Sequence, residues 1–82
     1  MVHSTSILVK ASDPEPALHQ VGHLIREARL KADLTQEELA IKLGVSIPTV
    51  NKFEKKGHQV TIGTLSKIAR VLEVDLMVGF LT

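Results

Sequence analysis

Apolar residues recur at three- and four-residue spacing in four stretches of this 82-residue chain, which predicts four helices. The first apolar stripe consists of Leu18, Val21, Ile25 and Ala28. A helix start is predicted at residues 13–15, where Asp can cap and Pro fits the first turn, although Pro16 can delay the helix slightly. This helix is predicted to run to about Lys31.

Residues 34–54 contain two short amphipathic segments that meet at a Gly-Val corner. Thr35 can cap the first segment, and Gly44 has the backbone freedom that ends it. Ser46 can cap the second segment, and Pro48 falls in its first turn, where a missing N–H costs little. The inward-facing residues are Leu39, Ala40 and Leu43, followed by Val50 and Phe53. The pattern predicts a helix-turn-helix.

Residues 55–59 have no apolar member and contain a glycine, so they are predicted to form an exposed basic loop. Thr61 is then a plausible cap for a fourth helix that closes the core over the first. The apolar stripe of this helix is Ile62, Leu65, Ile68, Ala69 and Leu72.

The two ends of the chain lack helical periodicity. Residues 3–10 favour a short strand or an untethered arm. Residues 74–82 fit a strand that is apolar on both sides, and such a strand needs a partner. The same segment of a second subunit, or residues 7–9, can provide it. The predicted organisation is an amino-terminal arm or strand (1–13), a helical domain (14–73) and a dimerisation strand (74–82).

The composition favours self-association. Apolar residues make up 44% of the chain, with two phenylalanines and no cysteine. A domain of this size has a marginal core, and the absence of cysteine excludes both disulfides and a Cys-type zinc site. The surplus aliphatic surface is therefore assigned to a subunit interface, whose predicted residues are Leu76, Met77, Val78, Phe80 and Leu81.

Positive charge is concentrated in one part of the chain, although the net charge is only +1. Residues 41–70 hold six Lys or Arg against one Asp or Glu, whereas residues 1–40 hold four against six and residues 71–82 none against two. The basic block coincides with the second helix of the helix-turn-helix and the residues after it, so it favours a nucleic-acid partner over an ordinary solvated face.

Other function classes have little support in the sequence. His19 and His23 have the spacing of two metal ligands on one helical face, but no third ligand is placed, so neither a metal site nor a cofactor is predicted. No nucleophile triad, phosphate loop or pair of catalytic carboxylates is present, so no enzyme is predicted. No apolar run approaches the ~20 residues of a membrane span, and a cytoplasmic, nucleoid-associated protein is expected.

Taken together, residues 25–76 resemble the Cro and phage-repressor type of helix-turn-helix protein, also called the xenobiotic-response-element family. The resemblance is carried by the motifs Ile25-Arg26, Ala28-Arg29, Leu34-Thr35-Gln36-Glu37-Glu38-Leu39-Ala40, Leu43-Gly44-Val45-Ser46, Thr49-Val50, Phe53-Glu54, Thr64-Leu65, Ile68-Ala69 and Leu72. It implies an all-α, lambda-repressor-like bundle of about four helices whose second motif helix enters the major groove of DNA.

That geometry makes Ile47, Pro48, Asn51 and Lys52 the candidates for contacts with base edges. Asn51 can both donate to and accept from adenine, Lys52 can donate to guanine, and Ile47 can pack on a thymine methyl. The alternative is that each is simply an exposed residue of a surface helix.

A second group is predicted to contact DNA phosphates: Gln36, Thr49, Lys55, Lys56 and His58. Gln36 lies where a helix amino terminus favours an anion, whereas Lys55 and Lys56 can equally be solvated loop lysines. The resemblance also implies a structural ion pair between Arg29 and Glu54, although Glu54 can alternatively point to solvent.

The predicted function is a homodimeric repressor with two reading helices about one turn of B-DNA (~34 Å) apart on a palindromic operator. Double-stranded DNA and a second copy of the chain are the predicted partners. One alternative is an antitoxin that also binds a toxin protein. The other is an interaction module that captures another chain by strand addition, without binding DNA.

Overall fold

The computed structural model describes residues 9, 12, 16–57 and 60–80. These residues contain four helices: α1 (Ala17–Lys31), α2 (Gln36–Leu43), α3 (Ile47–Lys56) and α4 (Ile62–Leu72). The all-α bundle expected from the apolar periodicity is confirmed. Residues 3–8, which belong to the predicted arm or strand, lie outside the described residues, and Val9 has no regular secondary structure.

Three helices begin at the hydroxyl residues that the sequence predicts. The side-chain oxygens of Thr35, Ser46 and Thr61 each accept a hydrogen bond from the backbone N–H three residues later, at 3.1 to 3.2 Å. Each such cap satisfies a donor that the helix itself leaves unpaired, which is worth about 1 kcal/mol. Gly44 ends α2 in the left-handed conformation at φ 72, as its position in the corner predicts.

Helix α1 begins at Ala17, after Pro16 in an extended conformation (φ −56, ψ 144). The predicted start at residues 13–15 lies outside the described residues. Pro16 itself lies outside the helix, because its ψ of 144 is far from the helical value.

The core lies between all four helices. Its buried members are Ile25, Leu39, Ala40, Leu43, Val50, Ile68 and Leu72. Most other residues of the predicted stripes pack against this core, but two are exposed: Leu18 at 53% and Ile62 at 61%. Both lie in the first turn of a helix, where side chains at the correct spacing still extend past the end of the core.

Two predictions for the second half of the chain are wrong. Lys55 and Lys56 belong to the last turn of α3 and not to a loop, because Gly57 ends the helix only after them, at φ 61. Lysines are also favourable near the negative end of a helix dipole.

The predicted carboxy-terminal strand is not formed by residues 74–80, which have no regular secondary structure. A strand needs another strand to bond to, and the described part of this chain offers none. Leu76 is half-buried, whereas Met77, Val78 and Phe80 are exposed; Leu81 lies outside the described residues.

Candidate nucleic-acid interface

Helix α3 has one buried edge and one exposed edge. Val50 is fully buried, Glu54 is 4% exposed, and Phe53 packs against the core. The residues that the sequence predicts at base edges, together with both lysines of the last turn, are exposed: Ile47, Pro48, Asn51, Lys52, Lys55 and Lys56. We call these six residues the outer edge of α3.

The outer edge consists of two rows along the helix axis, since its members lie four residues apart. One row is Ile47, Asn51 and Lys55, and the other is Pro48, Lys52 and Lys56. Both rows begin apolar and end basic. The last four of these six residues line a shallow concavity of about 380 Å³. Hydrogen-bonding groups and positive charge therefore converge on one side of a single helix.

Thr49 lies at the margin of the outer edge and is half-buried. Its backbone N–H donates to Ser46 Oγ at 3.2 Å, and the two side-chain hydroxyls lie 2.8 Å apart. These contacts fix the first turn of α3, and the Thr49 hydroxyl retains capacity for further hydrogen bonds.

The opposite edge of α3 is held by a buried ion pair. Arg29 of α1 donates to Glu54 through Nε (2.6 Å to Oε2) and through Nη2 (3.0 Å to Oε1). Arg29 Nη1 also donates to the backbone oxygen of Leu34, at 2.7 Å. The pKa of Arg29 is raised overall. The hydrogen bond to Glu54 has the largest effect, burial opposes it, and the negative charge of Glu54 adds to the rise. Two parallel bonds fix the orientation as well as the distance between α1 and α3.

Gln36, a predicted phosphate contact, is half-buried at the first position of α2. Its Nε2 donates to Glu54 Oε1 at 3.2 Å. The carboxylate of Glu54 thus joins α1, α2 and α3. Nothing in the local pattern around Gln36 indicates this contact, because the two residues are 18 positions apart.

The amino terminus of α2 is closed by a capping box. Glu38 N–H donates to Thr35 Oγ1 at 3.1 Å, and Thr35 N–H donates to Glu38 Oε1 at 2.9 Å. These hydrogen bonds lower the pKa of the Glu38 carboxyl. The bond to the Thr35 backbone has the largest effect, followed by the bond to the Thr35 side chain. Glu37 and Glu38 place two negative charges in this first turn, which oppose the attraction of the helix amino terminus for an anion.

Gly22 is a positioning residue that the apolar pattern does not single out. It is buried where α1 crosses the end of α3, and a Cβ added there would lie 2.6 Å from the backbone oxygen of Glu54 and 2.9 Å from that of Phe53. Only glycine permits this approach. The available signal was a glycine in the middle of an amphipathic helix.

His58, the last of the predicted phosphate contacts, lies outside the described residues. Across residues 16–57 and 60–80, no group of three His, Cys, Asp or Glu is arranged to hold a metal ion. In the same ranges, none of the helices has both the length and the apolar character that crossing a bilayer requires.

Comparison with known proteins gives consistent matches. A family profile described as "Helix-turn-helix" matches residues 25–78. An uncharacterized HTH-type transcriptional regulator of Sinorhizobium medicae is 31% identical over 67 residues, covering 82% of this chain and 48% of that protein. Antitoxin HigA1 of Mycobacterium tuberculosis is 39% identical over 64 residues, covering 78% of this chain and 42% of the antitoxin.

A solved structure of a restriction-modification controller protein superimposes with a TM-score of 0.66 at 33% identity, covering 71% of this chain and 77% of that one. The present chain spans about half the length of the curated relatives it matches.

Proposed function

Because this chain belongs to the helix-turn-helix family of the Cro and phage-repressor type, we propose that it is the DNA-binding domain of a transcriptional regulator and not an enzyme. We further propose that two copies of it bind a palindromic operator. Each copy places the outer edge of α3 in the major groove, the only groove of B-DNA that is wide enough for a helix and distinguishes all four base pairs.

The observation that carries this proposal is the contrast between the two edges of α3. The inner edge is fixed by Val50 in the core and by Glu54 in its bonds to Arg29. The outer edge presents amide and ammonium groups on a rigid element, which is what reading base edges requires. Exposure alone does not allow a side chain to read bases. The bidentate bonds to Glu54 hold α3 in place, so its exposed side chains occupy defined positions.

Within the outer edge, the residues at or near the start of α3 are assigned to bases. Ile47 and Pro48 form an apolar contact surface for a thymine methyl, Asn51 pairs with adenine, and Lys52 donates to guanine. Lys55 and Lys56 follow towards the helix carboxy terminus and contact phosphates, as do Thr49 and His58 in this proposal.

Gln36 has a double assignment. In the chain alone its amide nitrogen donates to Glu54, and a phosphate at the start of α2 can accept from the second hydrogen of the same NH₂ group. A phosphate contact through Gln36 therefore leaves the ion pair intact. In this proposal it connects the DNA backbone directly to the carboxylate that holds α3.

A second candidate function is supported by the similarity to an antitoxin. The named antitoxin relative is 39% identical over 64 residues. In that case the same dimer binds DNA and also holds a toxin. A toxin gene beside the gene for this chain, and co-purification of the two products, would support this second role.

The experiment begins by selecting bound sites from random duplex DNA with the full chain at about 0.15 M salt. We expect an enriched sequence with two half-sites related by two-fold symmetry. Asn51→Ala and Lys52→Ala are then expected to weaken binding to that sequence by about 1 to 3 kcal/mol each.

The matched control is Lys31→Ala, which removes one exposed lysine at the end of α1. It is expected to change operator affinity little. Recovery of no preferred sequence, or equal losses for Lys52→Ala and Lys31→Ala, would reject the assignment of the outer edge to bases.

A further inference from the structure

Helix α4 has a basic stripe on its outer side. Gly63, Ser66, Lys67 and Arg70 follow one another at helical spacing and line a shallow concavity of about 190 Å³. The other side of the helix packs into the core through Ile68 and Leu72. We call these four lining residues the α4 stripe. No base or phosphate contact proposed above uses it.

The residues that follow α4 have the opposite charge and a large apolar surface. We call residues 73–80 the tail segment. It begins with two exposed acidic residues, Glu73 and Asp75, and ends with Met77, Val78 and Phe80, of which Met77 is 90% exposed. Among the described residues, no ion pair joins Lys67 or Arg70 to a carboxylate, and none joins Glu73 or Asp75 to a basic side chain.

We propose that the tail segment of each subunit docks on the α4 stripe of a second copy of the chain. This rests on the homodimer of the proposed function and identifies the surface that receives the tail. Lys67 and Arg70 carry two positive charges, and Glu73 and Asp75 carry two negative ones, so the two surfaces are complementary in sign and number.

The order of residues supports an antiparallel arrangement. Along α4, exposed Ile62 and Gly63 come first and the basic residues last, whereas in the tail segment the acidic residues come first and the apolar ones last. Antiparallel docking therefore places acid beside base and apolar beside apolar. The tail segment is long enough for this arrangement, since eight extended residues span up to about 27 Å and residues 63–70 of α4 rise only about 12 Å.

The tail segment does not cover its own α4 stripe. Glu73 ends α4 in the left-handed conformation (φ 57), and Val74 N–H bonds to the backbone oxygen of Ala69, at 3.0 Å. Beyond that point Met77 and Phe80 are exposed. A second copy of the chain covers both surfaces at once. In a dimer with two-fold symmetry, the tail segment of each chain docks on the α4 stripe of the other.

The test is a charge exchange between two variants of the full chain. Variant one carries Lys67→Glu and Arg70→Glu; variant two carries Glu73→Lys and Asp75→Lys. In this proposal each variant alone brings like charges together, whereas a mixed dimer restores opposite charges at both contacts. Sedimentation equilibrium without DNA measures the dissociation constant of each sample at about 0.05 M salt, where screening is weak.

We expect each variant alone to show a dissociation constant about tenfold to hundredfold higher than the unmodified chain, since four exposed ion pairs are replaced by repulsions. The equimolar mixture is expected to recover association to within about threefold of the unmodified chain, and the difference is expected to shrink in 0.5 M salt. Circular dichroism checks that each variant is folded. The control, Arg26→Glu with Lys31→Glu, makes the same charge change on α1 and is expected to leave association unchanged.

Several results would overturn the proposal. If the unmodified chain dimerises and the variants behave like it, the tail docks elsewhere, while the proposed function stands. If variant one weakens random-duplex binding and leaves dimerisation unchanged, the α4 stripe contacts DNA phosphates instead. If the unmodified chain stays monomeric, both this proposal and the homodimer fail, and operator selection still decides whether the chain reads DNA.

Discussion

Helices α1 and α3 form a close contact with each other, whereas the tail segment leaves apolar side chains exposed in the part of the chain that the structure describes. Where α1 crosses α3, Arg29 and Glu54 satisfy each other and Gly22 brings the two backbones together. In the tail segment, Met77 and Phe80 have no cover. The comparison shows that apolar character marks a surface for burial without saying which molecule buries it.

The difference also separates two sources of order in a small domain. The first region combines bidentate bonds, tight packing and capped helix ends, so it holds a rigid helix for a partner to bind. Burial of the second region, the tail segment, requires another molecule, so it increases with protein concentration. We therefore expect mutations in the two regions to affect different measurements.

The largest expected effect is on folding, from breaking the buried ion pair. Glu54→Ala leaves Arg29 buried without its counter-charge and is expected to lower the free energy of unfolding by about 3 to 5 kcal/mol. Glu54→Gln keeps the shape and is expected to cost less. Urea denaturation followed by circular dichroism measures both, and Glu37→Ala on the exposed face of α2 is the control.

A loss below about 1 kcal/mol for Glu54→Ala would mean that the pair is not what holds α3. Should that variant be unfolded at 25 °C, the Gln variant provides the comparison, with a loss larger than that of Glu37→Ala.

The next effect concerns the close approach at Gly22. Gly22→Ala puts a methyl group 2.6 Å from the backbone oxygen of Glu54, so the helices must separate, and we expect a loss of about 1 to 3 kcal/mol. The shift also moves the outer edge, so operator affinity is expected to fall even in the folded fraction. Gly63→Ala is the control, because the nearest atom to its added Cβ is a Thr61 hydroxyl at 3.5 Å. Equal stability of the two variants would contradict the account.

The smallest effect on folding is expected in the tail segment. Met77→Ser combined with Phe80→Ser removes two exposed side chains and is expected to change the free energy of unfolding of the monomer by less than about 0.5 kcal/mol. Self-association, measured by sedimentation, is expected to weaken. A clear loss of monomer stability would show that the tail segment already packs on its own chain, and the comparison with the α1–α3 contact would fail.

The sequence predicts best those features that are decided by a few neighbouring residues. A cap is decided within three residues, so Thr35, Ser46 and Thr61 were identified correctly, as was the left-handed Gly44. The apolar spacing gave the four helices, because burial repeats with the helical turn. It could not show where the core stops, and so Leu18 and Ile62 were wrongly assigned to it.

Contacts between residues that are far apart in the sequence could not be predicted from local patterns. The bond from Gln36 to Glu54 and the approach of Gly22 to α3 depend on how the helices cross, which no short window contains. The carboxy-terminal strand was predicted from apolar residues on both sides of the chain. That pattern requires a partner surface but does not determine the backbone conformation that meets it.

We propose that the outer edge of α3 reads bases with its first turns and contacts phosphates with its last turn. The most direct measurement compares Lys52→Ala with Lys56→Ala, using the selected operator and a random duplex at the same salt concentration. We expect Lys52→Ala to lower the operator-to-random affinity ratio about 5- to 150-fold, and Lys56→Ala to weaken both affinities equally while reducing the salt slope by about one. An unchanged ratio for Lys52→Ala would contradict the account.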